Sequence, residues 1–254
     1  MKRFVLVAIL VGALVACGPR SSVSHPAGEH RVITVSLATS NVYFIEAEQG
    51  YVMVDTGMSA REEEVEELFS TAGIEPTAVS LIVVTHVHPD HVGGLSSIKE
   101  LSGARVLCHR SAAKFLEEGK SEPIVAHSLA GAFIAAVSPK KFRGVVPDVV
   151  VEDEFDLKEY GLAGTVVHSP GHTSGSLMLI LSNGEVLAGD QVRERNAELS
   201  LGQFYEDKDL SLKSLERVIS PTTQVIYMSH GTQTDAQSLA GFVEKQRGLG
   251  AGRW

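Results

Sequence analysis

The chain has 254 residues, 44% of them hydrophobic, with 22 Lys+Arg against 31 Asp+Glu and a formal net charge of −9 at pH 7. That length holds one sizeable domain with short extensions, and the acidic balance argues against nucleic acid, whose phosphates seek cationic surfaces. Two cysteines, Cys17 and Cys108, leave no room for a disulfide framework.

The first segment, 1–16, has two cations followed by an uninterrupted apolar run from Phe4 to Ala16. It is shorter than the roughly 20 residues needed to span a bilayer and reads as a signal-peptide core. Leu14-Val15-Ala16-Cys17 resembles the bacterial lipobox, which implies cleavage before Cys17 and a diacylglycerol on its thiol. Gly18, where Asp would signal retention, then implies a lipid-anchored protein of the bacterial cell envelope, on the periplasmic side of the outer membrane. Residues 17–30 have the composition of a lipidated N-terminus and polar linker. A catalytic domain is expected over 31–247, and 248–254 is a short tail.

Within that domain, the apolar segments 31–38, 41–47 and 50–57 read as a meander of strands ending in Asp55-Thr56-Gly57. A helix follows, with Ser59 and Glu62 spaced as a capping box and an acidic outer face. "VSLIVVT" (79–85) is an almost unbroken apolar run rich in β-branched residues, the mark of a strand buried on both faces. Behind it, "THVHPDHVGG" (85–94) crowds His86, His88, Asp90 and His91 onto the turn into the next helix. Open α/β sheets place their ligands at such strand ends. In an extended chain His86 and His88 point to one side while Val87 faces inward, and Asp90 and His91 return to the same point. Gly93 and Gly94 let another backbone or a bound group approach closely. Imidazoles and carboxylates converging in this way are the ligands of a transition metal, zinc foremost.

The helix after the motif carries Leu95, Ile98 and Leu101 at helical spacing and stops at Gly103. A strand at 104–109, which makes Cys108 an inert buried thiol, leads into a helix from Ser111. Residues 119–150 show weak periodicity with scattered Pro and Gly, and such length suggests a lid or rim. Segment 164–181 then reads as strand, turn and strand, with His172 in the turn. Two further strands end on Asp190 and His230, and a last helix runs from about Thr234 to Gln246. His172, Asp190 and His230 each follow an apolar strand and sit beside a glycine, the context of convergent ligands.

T-H-x-H-x-D-H-x-G-G, followed in order by P-G-H-T, A-G-D and S-H-G and preceded by D-T-G, resembles the metallo-β-lactamase superfamily over roughly residues 31–247. The resemblance implies an α/β fold of the four-layer αββα sandwich type, with a dinuclear metal site along one edge of the sheets. It assigns His86, His88 and His172 to one metal and Asp90, His91 and His230 to the other, with Asp190 bridging and Asp55 supporting the histidine loop. Two Zn2+ ions, with Fe or Mn as possible substitutes, would share a hydroxide that Asp90 helps to steer as the catalytic group.

Within that family, dedicated β-lactamases carry Cys or Ser at the bridging position, where this chain has Asp190. Glyoxalase II adds a helical glutathione domain, whereas 24 residues follow His230. Ribonuclease Z fits neither the acidic surface nor the address. Quorum-quenching lactonases place a tyrosine shortly after the bridging aspartate, where this chain has Arg193 and Arg195. A hydrolase of a small ester, lactone or thioester is therefore expected. The alternatives are a β-lactam hydrolase, a di-iron redox protein and a non-enzymatic metal-binding lipoprotein. Arg193 and Arg195 are candidates for gripping an anionic substrate group, and Phe204 and Tyr205 for walling the pocket. His109, His127 and His168 stand outside the motifs and read as structural.

Overall fold

The computed structural model describes residues 20–24 and 31–251. Its first sheet has seven strands in chain order: β1 (Arg20–Ser24), β2 (Val32–Ser36), β3 (Asn41–Ala47), β4 (Gly50–Val54), β5 (Val79–Val83), β6 (Arg105–His109) and β7 (Val149–Val151). β1 to β4 form an antiparallel meander, and β4 to β7 run parallel. The second sheet is built from β8 (Glu154–Asp156), β9 (Gly164–His168), β10 (Leu177–Leu181) and β11 (Glu185–Leu187). After a separate hairpin of β12 (Arg193–Arg195) and β13 (Glu198–Ser200), it is completed by β14 (Val225–Tyr227) and β15 (Gln233–Thr234). Its spatial order is β15-β14-β11-β10-β9-β8. The helices are α1 (Glu62–Ala72), α2 (Pro89–Val92), α3 (Leu95–Ser102), α4 (Arg110–Glu118), α5 (Leu129–Val137), α6 (Lys208–Glu216) and α7 (Ala236–Ala251).

The strand period of two sorts side chains into separate cores. In β3, Val42 and Phe44 face α1 and α3, where they meet Val65, Leu68, Phe69, Leu95 and Ile98. Phe44 and Phe69 make an edge-to-face pair with ring centroids 5.5 Å apart. Tyr43 and Ile45 of the same strand face the second sheet, joining Val54, Leu81, Val83, Leu179, Leu181 and Leu187. The far side of the second sheet packs Met178, Val186 and Ile226 against Leu212, Leu215, Leu239 and Phe242 of α6 and α7. Each such fully buried side chain contributes about 1.5–3 kcal/mol relative to an exposed one. The layers thus run helix, sheet, sheet, helix, the expected αββα sandwich, and β5 is buried on both faces as its almost unbroken apolar run required.

Several local expectations are corrected. Residues 20–24, read as linker, form β1, because the outer edge of β2 carries backbone donors and acceptors that a neighbouring strand can pair. The capping box at Ser59 does not form. α1 begins at Glu62 with no side-chain cap at Arg61, and the Ser59 hydroxyl accepts the Arg61 N–H instead. Leu101 faces solvent. The 119–150 segment contains a regular helix, α5, with Ser128 as its N-cap. Cys108 lies in the helix-side core, whereas Cys17 and the signal-like run fall outside the described residues. Among the described residues, no helix is long and apolar enough to cross a membrane.

Candidate metal centre

Four strand ends meet at one edge of the sandwich. The end of β5 runs into the histidine loop, the β9–β10 turn carries His172, the segment after β11 carries Asp190, and the segment after β14 carries His230. Backbone bonds lock these pieces in register. The Leu177 N–H donates to the Thr85 carbonyl at 2.7 Å, joining the two sheets, and the Ser229 N–H donates to the Gly189 carbonyl at 3.1 Å. A Cβ on Gly93 would run into the Met58 carbonyl, and one on Gly94 into Thr56 and Ser59. The two glycines thus admit the 55–59 turn, and what approaches them is another backbone rather than a bound group.

At this edge the seven predicted ligands converge. His172 Nε2 lies 3.2 Å from both His86 Nε2 and His88 Nδ1. Zinc holds imidazole nitrogen at about 2.0–2.1 Å, so two such nitrogens at tetrahedral corners stand about 3.4 Å apart, close to the spacing found. Beside this group, His230 Nε2 lies 3.4 Å from Asp90 Oδ2, and His91 Nε2 lies 3.6 Å from the same oxygen. Asp190 stands between the groups, with Oδ1 3.5 Å from His91 Nε2 and Oδ2 3.1 Å from His230 Nε2 and 3.7 Å from His172 Nε2. His91 Nε2 and Asp190 Oδ1 are buried without a hydrogen-bond partner among the described residues. Leaving such groups unsatisfied costs free energy, and a cation between them removes that cost. The donor set therefore fits metal ions in two adjoining positions.

Every ring in the loop has its second nitrogen anchored, which leaves the first free for a metal. His91 Nδ1 donates to Asp55 Oδ2 at 2.8 Å. The Thr85 hydroxyl donates to the same oxygen at 2.7 Å and accepts from His86 Nδ1 at 3.1 Å. His88 Nε2 faces the Pro123 carbonyl at 3.4 Å, and His172 Nδ1 donates to the Phe204 carbonyl at 3.0 Å. Burial, reinforced by the neighbouring imidazoles, holds His86 and His88 well below the usual histidine range, and burial lowers His172 as well. These rings are neutral with lone pairs available. Burial also opposes charge on His91, but Asp90, Asp190 and Asp55 outweigh it and push that ring up to about 10. For Asp190 burial works upward, yet His230, His91 and His172 hold its carboxyl well below the usual carboxylate range.

Two supporting residues escaped the sequence reading. Glu122 is buried, with Oε2 accepting the Val87 N–H at 2.7 Å and Oε1 accepting the Gly175 N–H at 3.2 Å. It therefore ties the His86–His88 segment to the His172 turn, and burial raises its carboxyl to about 7. Asn41 clamps the His230 segment. Its backbone N–H donates to the Ser229 carbonyl at 2.8 Å, and its amide donates to the Met228 and Gly231 carbonyls at 2.9 and 2.8 Å. Neither residue lies in a motif, although a glutamate in a segment otherwise lacking pattern was the available signal.

The candidate substrate contacts are placed less decisively. Arg193 lies against Gly202, Arg195 is exposed, and among the described residues neither makes an ion pair. The hairpin they belong to touches the site through Glu194, whose N–H donates to the His230 carbonyl at 3.0 Å. Tyr205 stacks on His127 at 3.7 Å, while His127 Nε2 donates to the Tyr205 carbonyl at 2.8 Å. His109 and His168 stack on each other at 3.7 Å, with their Nε2 atoms on the Glu152 and Ser174 carbonyls.

Comparisons with known proteins agree with this geometry. The family model described as the metallo-beta-lactamase superfamily matches residues 36–230. A probable metallo-hydrolase of Methanocaldococcus jannaschii is 27% identical over 206 residues, covering 80% of this chain and 92% of the relative. An acyl-coenzyme A thioesterase of Bos taurus is 30% identical over 168 residues, covering 60% and 58%. The chain spans about three fifths of the length of that relative and of a Drosophila melanogaster beta-lactamase-like protein 2 homolog. In fold, it is similar to a metallo-beta-lactamase superfamily protein of Sulfolobus tokodaii, with a TM-score of 0.60 at 20% identity over 90% of this chain and 85% of that one. With the matched span reaching from β2 to His230 and the sandwich present, the chain belongs to the metallo-beta-lactamase superfamily.

Proposed function

We propose that this protein is a dinuclear zinc hydrolase of a small ester, lactone or thioester. The observation that carries the reading is the position of Asp190, whose carboxylate reaches both histidine groups. Its Oδ2 lies 3.7 Å from His172 Nε2 on one side and 3.1 Å from His230 Nε2 on the other, and its Oδ1 lies 3.5 Å from His91 Nε2. His86, His88 and His172 would hold one ion, Asp90, His91 and His230 the other, and Asp190 both. Two such ions, when bound, polarise a substrate carbonyl and acidify the attacking water. Asp90 is the most open of the three carboxylates at the cluster, at 24% side-chain exposure, so it is the group placed to orient that water and take its proton. Asp55 keeps His91 in the tautomer that presents Nε2. No side-chain nucleophile is called for, and Cys108 is sealed in the core.

The thioester arm of this reading is supported by the bovine relative named as an acyl-coenzyme A thioesterase. We also propose that Cys17 is acylated, on the lipobox resemblance of residues 14–17; normal export of Cys17→Ser as a soluble protein would refute it. The functional test is a panel of activated esters, lactones, acyl thioesters and β-lactams against protein of measured metal content. Turnover of the acyl compounds that disappears with chelation and returns with zinc is the expected result. Preferential β-lactam turnover, or an iron-loaded protein with redox activity and no hydrolysis, would overturn the reading.

A further inference from the structure

We propose that α5, with the cations that follow it, is a membrane-docking face that sets the metal edge of the sandwich against an anionic bilayer. The sequence of α5, "LAGAFIAAV", contains no polar side chain. An all-apolar helix in a globular protein is ordinarily sealed in a core, yet only Gly131 of this one is buried. Leu129 is 93% exposed, Phe133 69% and Val137 64%, and the spacing of four puts these three along one stripe. Those side chains are presented outward, where water is a poor partner.

The helix stands on the metal edge. Its N-cap Ser128 hydroxyl donates to Gln203 at 3.0 Å, and a Cβ on Gly131 would press on the same side chain. The next residue, Phe204, supplies the carbonyl that anchors His172. At the other end come Lys141 and Lys140, whose ammonium donates to the Ala135 carbonyl of α5 at 2.6 Å. A backbone bridge places beside Lys141 a third lysine, Lys120, whose charge is met by Glu118 at 2.8 Å. In a chain of net charge −9, this juxtaposition of apolar stripe and lysines is the combination by which interfacial helices bind anionic lipid.

The path of the N-terminal chain points the same way. Arg20 is paired with Ser36, and Ser36 with Asn41. Asn41 bonds to Ser229, and Ser40 to the Asp90 carbonyl at 2.6 Å. The chain therefore enters the fold at the metal edge, and Cys17 precedes Arg20 by three residues, a reach of at most about 11 Å. If Cys17 is acylated as proposed above, its lipid would pull this same edge toward the bilayer. A second copy is a worse occupant, since a twofold contact would bring the lysine groups near one another. A substrate acyl chain is also worse, because the stripe lies on the outer face of a helix.

The test is depth-dependent fluorescence on the full chain carrying Trp254→Phe, with an indole introduced by Phe133→Trp. A parallel protein carries Thr222→Trp, at the end of β14 opposite His230. Vesicles of phosphatidylethanolamine and phosphatidylglycerol with brominated acyl chains are the probe. The expected result is blue-shifted, strongly quenched emission from position 133 and unquenched emission from position 222. Phe133→Glu with Lys141→Glu should also lower partitioning onto the vesicles about tenfold or more, with an unchanged circular dichroism spectrum. Equal quenching at both positions, or none at 133 while the protein is vesicle-bound, would overturn the proposal. So would a blue shift at 133 that needs only high protein concentration, or only a soluble long-chain thioester. None of these readouts uses catalytic activity, so they stand apart from the hydrolase reading.

Discussion

Asp55 and His91, 36 residues apart, form a buried pair in which His91 Nδ1 donates to Asp55 Oδ2 at 2.8 Å. Asp55 holds a left-handed backbone conformation, φ 58°, to make that contact, and its other oxygen accepts the Thr85 N–H at 2.8 Å. One carboxylate thus fixes both the strand end and the ring that faces Asp190.

Asp55→Asn should keep the turn, because asparagine tolerates left-handed geometry. The amide offers one acceptor where the carboxylate offered two. Zinc affinity is expected to fall about 10–100-fold, as measured by competition with a chromophoric chelator, with the thermal transition of the metal-free protein little changed. Unaltered affinity would show that the pair only braces the fold.

Asp190→Ala should lower turnover by roughly 100-fold or more while the sandwich persists, since the carboxylate lies between His172 on one side and His91 and His230 on the other, outside the three cores. Metal analysis should find about two ions in the parent protein and fewer in the variant. Near-normal turnover with two ions retained would remove Asp190 from its bridging role.

Glu122→Gln places an N–H2 opposite a backbone N–H, at either Val87 or Gly175. The three-histidine group should lose affinity while the Asp90–His91–His230 group keeps its ion. Cobalt titration would separate the two, because the ligand-field bands of the two positions differ. Equal weakening of both would mean a general loss of structure.

Without metal, stability should peak near pH 6.5. His86, His88 and His172 are depressed in the fold, so below about 6.5 the unfolded chain binds more protons and stability falls with falling pH. The raised His91 contributes stability that is fully present below about 6.5 and is lost as pH rises toward about 10. Glu122, raised to about 7, opposes the acid-side trend between its ordinary value and 7, and the raised Glu206 does the same, two carboxyls against the three ligand histidines and the lowered His109. Urea midpoints across pH 5–9 on chelator-treated protein check this; a monotonic profile would contradict it.

Short-range pattern determined much of this protein. The almost unbroken apolar run of 79–85 required a strand buried on both faces, and alternation in 41–47 separated Val42 and Phe44 from Tyr43 and Ile45. Histidines and an aspartate on the strand-to-helix turn marked a metal position, and glycine-flanked His172, Asp190 and His230 marked the rest, because ligand chemistry restricts residue type as well as place. Other features depended on partners distant in sequence. Glu122 and Asn41 acquire their roles only when folding brings Val87, Gly175 and Ser229 to them, and a lone Glu or Asn carries no local trace of that. The same holds for 20–24, whose composition suits a linker and which becomes a strand only because β2 presents an open edge. The outward stripe of α5 is likewise a tertiary result, since an all-apolar segment looks alike whether the fold encloses it or leaves it in water.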